Sequence, residues 1–313
     1  MGGVGGGGRG GSSYTGWTSE KLTEVVREEA TKAAAHFEVT VAGLLSDLLA
    51  GYGKDTELVR ERLDRAKEIL RDETENSFDT LFGGSVAKHT YVDGLSDVDT
   101  LLVVNDSKFE DKSPPKILDR VEAILQDRLP KDVVVDHGRM AVSITYPDSM
   151  VIQLLPALRT ETGVKVPSAQ HEGWSDIDPD GFRQALTYHN EACGGKLVPT
   201  IKLAKAVIGN MPEQYRLTGY HVESLAIAAF KGYEGKKTTE TMLPLLFERA
   251  KGLVLAPIRD STGQSVHVDE YLGPESSPLR QNVSHLLGGI AKRMRNASSG
   301  KSRAQWEAVF FSE

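Results

Sequence analysis

Apolar residues recur every three or four positions from Leu22 to Leu48, through Val26, Ala30, Ala34, Phe37, Val41 and Leu45. That spacing predicts one face of a helix over residues 18–50. A turn at GYGKD follows. Val59, Leu63, Ala66 and Leu70 then mark a second helix over 56–72. The period changes in the middle of the chain. DTLLVV (99–104) reads as a buried strand ending in polar NDSK. SPPKILDRVEAILQDRLP reads as a helix with proline just inside its start and again after its end. DVVVDHG, MAVSITY and MVIQLLPAL read as strands, and a two-residue PD turn joins the last two into a hairpin. That turn sets Val142 opposite Gln153.

From residue 180 onward the pattern is mostly helical, over 181–192, 196–209, 219–232 and 239–251. A loop-like stretch, LAPIRDSTGQSVHVDEYLG, precedes a last helical segment, SPLRQNVSHLLGGIAKRMRNA. The expected plan is α+β: a mixed-sheet core over 17–165 with the N-terminal helices, and a helical lobe over 166–313. The helix pair at the N-terminus is expected to brace both. Residues 1–16 are Gly-rich, lack a core pattern and read as a flexible tail. A phosphate-cradling glycine loop there would need a strand before it.

Composition narrows the function classes. Lys and Arg total 37 and Asp and Glu total 44, a formal net charge of −7. Long nucleic acid is held by phosphate neutralisation, so this balance argues against it as a partner and for mononucleotides or oligonucleotides. The longest uninterrupted apolar runs, such as SLAIAAF, fall far below the ~20 residues of a membrane span. One cysteine, Cys193, excludes an internal disulfide framework and a Cys-rich zinc site. A cytoplasmic protein without a membrane partner is expected.

The chemistry concentrates in LFGGSVAKHTYVDGLSDVDTLLVV. Gly83 and Gly84 let backbone approach an anion, Ser85 adds a hydroxyl donor, and a short helical stretch behind them would offer free N–H groups. Asp97 follows twelve positions after Ser85, and Asp99 two after that. Two carboxylates at the start of one strand point the same way. At about 4–6 Å and an effective dielectric of about 20 they repel by ~3–4 kcal/mol. A divalent cation between them removes that cost, and Mg²⁺ keeps its other positions for water and substrate phosphates. Alone, GLSDVD would be a turn with a capping Asp. The glycine–serine element before it and the apolar strand after it favour a nucleotide site.

GGSVAKHTYVDGLSDVD resembles the G-S-x(n)-D-x-D signature of DNA polymerase β-like nucleotidyltransferases. It is closer to the branch of cGAS/DncV-like bacterial enzymes and oligoadenylate synthases, where the first part often reads G-S-[FY]-A-[RK]-G-T. LVPTIKLAKAVIG is similar to that branch's helix with a phosphate-contacting lysine, which maps to Lys202. LTGYHVESLAIAAF and IRDSTGQS resemble two later family segments. The matches span roughly residues 60–290. The resemblance implies a template-independent nucleotidyltransferase: NTPs bind with two Mg²⁺ (or Mn²⁺) ions between a polymerase β-like core and a helical lobe, and a ribose hydroxyl attacks an α-phosphate. It implies Gly84, Ser85, Lys88 and Lys202 at the nucleotide, and Asp97 and Asp99 as catalytic metal ligands. Lys88 is equally readable as an exposed helix lysine. The implied product is a cyclic or short oligonucleotide signal, received by a downstream effector in CBASS-like antiphage defence.

One position departs. The family's third acidic residue lies three places before a proline on a later strand, and here that position is Gln153. A neutral amide is a poor base and a weaker metal ligand. Linear or protein-primed synthesis, also from deoxynucleotides, or a catalytically impaired nucleotide sensor, are the alternatives it raises. Asp136 and Asp148 are the nearby carboxylates that could compensate. Lys205 reads with Lys202 as a helix face, Glu223 as a lobe-packing residue, Cys193 as non-nucleophilic, and the basic run 292–303 as a solvated helix end. The histidines show no metal-ligand spacing.

Overall fold

A computed structural model of the chain describes residues 19–52, 56–73, 78–81, 98–104, 113–159, 164–168, 173–258 and 268–311. Within them the helices are α1 (Ser19–Gly51), α2 (Thr56–Glu73), α3 (Pro114–Arg128), α4 (Pro179–Ala192), α5 (Leu197–Gly209), α6 (Gly219–Phe230), α7 (Thr239–Leu253), α8 (Pro278–Ser299) and α9 (Arg303–Phe310). The strands are β1 (Phe78–Leu81), β2 (Val98–Val104), β3 (Val134–His137), β4 (Val142–Thr145), β5 (Val151–Arg159), β6 (Val164–Pro167) and β7 (Trp174–Ile177). The strands form one mixed sheet in the order β1-β2-β5-β4-β3, with β6 on the far half of β5 and β7 beyond it. The α+β plan is therefore observed.

The alternation of side chains along β2 sorts it between two cores. Leu102 and Val104 face α2 and α3, together with Ile152 and Leu154 of β5 and Val142 and Ile144 of β4. Leu101 and Val103 face the other way, onto Ala157, Val164 and Val166. α3 begins on Pro114 and Pro115 behind Ser113, and ends before Pro130 because proline cannot continue the ladder. The sheet runs past residue 165 to Ile177, and the helical lobe begins with α4. The strands β1, β6 and β7, four residues each, have no counterpart in the sequence reading.

α1 departs from expectation in two ways. Val41, Leu44 and Leu45 are buried in the helical-lobe core, not the sheet core, and α1 packs on α5, α7 and α9. The N-terminal half of the stripe is open, with Val26 63% exposed. The two N-terminal helices thus serve different cores: the buried residues of α2 join the sheet. By length and composition alone, the Thr23–Gly51 part of α1 would suffice to cross a membrane. Its residues 33–50 carry only Glu38 and Asp47 as charges, which interrupt the apolar run.

The β4–β5 hairpin differs from expectation by one residue. Tyr146 accepts from the Ser149 N–H at 2.9 Å, and the Tyr146 N–H donates to Met150 O at 2.9 Å. Ser149 takes φ 68°. This is a type I turn, Pro147 in its second position, closed by a left-handed residue. The loop has three residues rather than two, so Ser143 stands opposite Gln153 and Val142 opposite Leu154. A one-residue shift exchanges the two faces of a strand. It places Val142 in the helix-covered core and Ser143 beside Gln153.

Leu102 is fully buried between β2's neighbours and the two helices. Leu102→Ala should destabilise the sheet core by about 2–5 kcal/mol, read as a lowered urea midpoint of the transition reported by Trp174, which packs on this core.

Candidate active site

β2 and β5 run parallel, and their register pairs Asp99 with Gln153. Adjacent strands lie about 4.8 Å apart, so these are direct neighbours. On the other side of Gln153 stands Ser143, and beyond it Asp136 of β3. Four polar positions, Asp99–Gln153–Ser143–Asp136, thus cross the sheet in one row. Gln153 and Ser143 are half-buried and Asp136 is exposed. The residues before and after Gln153, Ile152 and Leu154, are buried under the helices, so the row belongs to the opposite face. Polar positions here and apolar ones under the helices follow the two-residue alternation of the strands.

The sequence-predicted residues fall unevenly. Gly84, Ser85, Lys88 and Asp97 lie outside the described residues. Asp99 and Gln153 are brought together by the β2–β5 pairing. Lys202 is half-buried on α5. Among the described residues no group of three or more His, Cys, Asp or Glu could hold a metal ion.

Neither compensating carboxylate replaces Gln153 directly. Asp148 is clamped by Arg62, whose Nη1 and Nη2 donate to its two oxygens at 2.9 and 2.8 Å. The guanidinium lies 4.0 Å over the Tyr146 ring, and its hydrogen bonds hold the Asp148 carboxyl below the usual range. Asp136 shares the row but stands two strands from Gln153.

Lys205 corrects the reading of a solvated lysine pair. Its ammonium is 4% exposed and donates to Glu223 Oε1 at 2.9 Å, with Glu223 1% exposed. The Lys205 amine packs against Gly219 in the first turn of α6; a Cβ there would lie 3.2 Å from Nζ. Glu223 is a lobe-packing residue, as expected, but its partner eighteen positions earlier gave no local signal. Burying one charge of such a pair alone is costly, so the two residues hold α5 and α6 together as a unit.

A second buried network lies at the same helix end. Arg280, fully buried, donates to Asp269 Oδ2 at 2.6 Å and to the carbonyls of Gly273 and Val254 at 2.9 Å each. Asp269 also accepts from the Ile258 N–H. The Tyr271 hydroxyl accepts from the Thr218 N–H at 3.1 Å and shares a second hydrogen bond with His221 Nδ1 at 2.8 Å. Nε2 of His221 stands 3.7 Å from Asp269 Oδ2, without a hydrogen-bond partner among the described residues. Burial drives the His221 pKa down to about 4; Arg280 pushes the same way and Asp269 opposes. Burial also pushes the Cys193 thiol up, which fits its expected inertness.

The sheet row and its covering helices coincide with a known domain. Residues 51–190 match the model of the Second Messenger Oligonucleotide or Dinucleotide Synthetase domain. The match covers 140 of the 313 residues of the chain. The fold agrees across nearly the whole chain. The nucleotidyltransferase CdnG of Bradyrhizobium diazoefficiens, solved with GTP, has 14% identity over 86% of this chain and 95% of its own, with TM-score 0.68. CdnC of Escherichia coli MS115-1, solved with a HORMA protein, has 14% identity over 87% and 96%, with TM-score 0.62. The Vibrio cholerae cyclic AMP-GMP synthase DncV, solved with a linear intermediate, has 10% identity over 94% and 89%, with TM-score 0.59. No curated protein sequence matches the chain. The matched segment contains the whole row from Asp99 through Gln153 and Ser143 to Asp136.

His221 makes the helical lobe acid-sensitive. Its folded pKa lies below the unfolded value of about 6.5, so the unfolded chain binds the proton first. Stability should be flat above about pH 6.5 and fall by ~3 kcal/mol as pH drops to about 4. Urea midpoints across that range check this, and His221→Gln should remove this part of the slope.

Proposed function

We propose that the protein joins nucleoside triphosphates into a short cyclic or linear oligonucleotide that signals to an effector in CBASS-like antiphage defence, in the cytoplasm. The observation that carries the reading is the Asp99–Gln153 register inside the matched synthetase domain. Similar solved structures, a c-di-GMP synthase and a cyclic AMP-GMP synthase among them, support the product class.

The donor set fits a divalent ion in part. Two carboxylates two positions apart on one strand suit Mg²⁺ bound with substrate phosphates, and Asp97 and Asp99 would hold it. Bound there, the ion would offset the charge of the triphosphate and polarise the α-phosphate. Gln153 supplies a neutral oxygen beside Asp99, so a second ion lacks one charged ligand. In the proposed reaction a ribose oxygen forms a bond to the α-phosphorus and pyrophosphate leaves. Gln153 cannot take the hydroxyl proton, which passes to water. Gly84, Ser85, Lys88 and Lys202 would contact the nucleotide. Two carboxylates without an ion repel phosphate as well as each other, which makes the dependence on metal steep.

Purified protein incubated with NTPs and Mg²⁺ or Mn²⁺ should release pyrophosphate and yield an oligonucleotide resolved by mass. Asp97→Ala with Asp99→Ala should lower the rate by 10³-fold or more. Equal product from that variant would refute the assignment of the site.

Gln153 also favours a second reading, a nucleotide-binding sensor with impaired catalysis. Gln153→Asp discriminates: it should change turnover little in a working enzyme, whereas a silent wild type that gains product through this one change would be the sensor.

A further inference from the structure

The sheet face that carries the polar row continues past the metal position onto β4 and β3. Beside the row lies a second one two residues away, Val134–Thr145–Val151, on the same face. Val134 is 59% exposed, an anomaly for a large apolar strand residue, and Thr145 and Val151 are half-buried. Asp136, at the outer end of the polar row, is exposed, and its carboxylate has no ion pair or hydrogen bond within the described residues. The neighbouring His137 serves the other face, donating toward Asp119 and Glu122 of α3. The result is a flat apolar shelf edged by a hydroxyl and a free carboxylate, continuous with Asp99. Three strand spacings, roughly 14 Å, separate Asp136 from Asp99.

We propose that this shelf receives the base of the acceptor nucleotide, and that Asp136 with Ser143 selects guanine. This rests on the reading of the chain as an oligonucleotide synthase. A planar base packs on the Val134–Thr145–Val151 row while its polar edge meets Asp136 and Ser143. The carboxylate repels phosphate, so the base end rather than the triphosphate end lies here. A carboxylate accepts only, and it pairs best with two adjacent N–H donors. Guanine presents such a pair at N1 and its exocyclic amine. Adenine presents an acceptor at N1 and is disfavoured. Ser143, next to Gln153, donates or accepts as the remaining edge requires, and lies between the base contact and the reacting hydroxyl.

The test is a competition in equimolar ATP, GTP, CTP and UTP with Mg²⁺, products resolved by mass, on the full chain and on Asp136→Asn and Ser143→Ala. Asp136 is exposed, so Asp136→Asn should keep the wild-type melting midpoint. Wild type should yield products with guanine at the acceptor position, and Asp136→Asn should cut the guanine preference over the other three bases by about tenfold. Ser143→Ala should lower the same preference by a smaller factor. An unchanged guanine preference in Asp136→Asn, or wild-type products lacking guanine, would overturn this inference and leave the synthase reading intact. Absence of any product from wild type with Mg²⁺ or Mn²⁺ would overturn both.

Discussion

The account depends on the parallel pairing of β2 with β5. Parallel neighbours keep constant register along their length, so the pairing that buries Leu102 against Pro156 and Leu101 against Leu155 also fixes Asp99 against Gln153. The polar end of the pair is held in place by the apolar end. Leu102, Val104, Ile152 and Leu154 lock one face under α2 and α3, and Leu101, Val103 and Ala157 cluster on the other with Val164 and Val166 of the neighbouring β6. A slip of one residue would bury Asp99's position under helices and expose an apolar set, a loss of several kcal/mol by area alone. The row is thus held because the core is, and Gln153 keeps its place beside Asp99 regardless of its own chemistry.

The helical lobe uses buried charge where the sheet uses apolar packing. Lys205 and Glu223 tie α5 to α6, and Arg280 with Asp269 ties α8 to the strand-like approach at Ile258. Tyr271 joins that second pair to the capped start of α6 through Thr218. Paired buried charges contribute geometry more than stability, since their desolvation offsets most of their attraction. What they secure here is the position of the α6 N-terminus relative to α5, the helix that carries Lys202. The cost is the neutral His221 enclosed among them, which confines full lobe stability to pH above its unfolded pKa.

Much of this was legible in the sequence, for physical reasons that also mark where legibility stopped. Long periodic segments such as 56–72 and 114–128 and the apolar runs of β2 and β5 carry their own signal, while the glycine–serine element and Asp97 lie outside the described residues. The β4–β5 register was not legible, because PD suggests a two-residue turn and only the left-handed Ser149 reveals three. Ser143 stands beside Gln153 through that register, not through any motif. The short strands β1, β6 and β7 have too few residues for a period to show. Lys205 looked like a surface lysine because its partner is on another helix. The open half of α1 follows the same helical period as the buried half, and sequence period does not say where the partner ends.

The central claim is that residue 153 is the direct sheet neighbour of Asp99 at a divalent-ion position. It is tested most directly by a double-mutant cycle on Mn²⁺ affinity, measured by electron paramagnetic resonance with an unreactive NTP analogue bound. Gln153→Asp should tighten Mn²⁺ binding at least tenfold in an otherwise wild-type chain, and the gain should vanish when Asp99→Asn is also present. A gain of equal size with and without Asp99, or no gain in either background, would contradict the account.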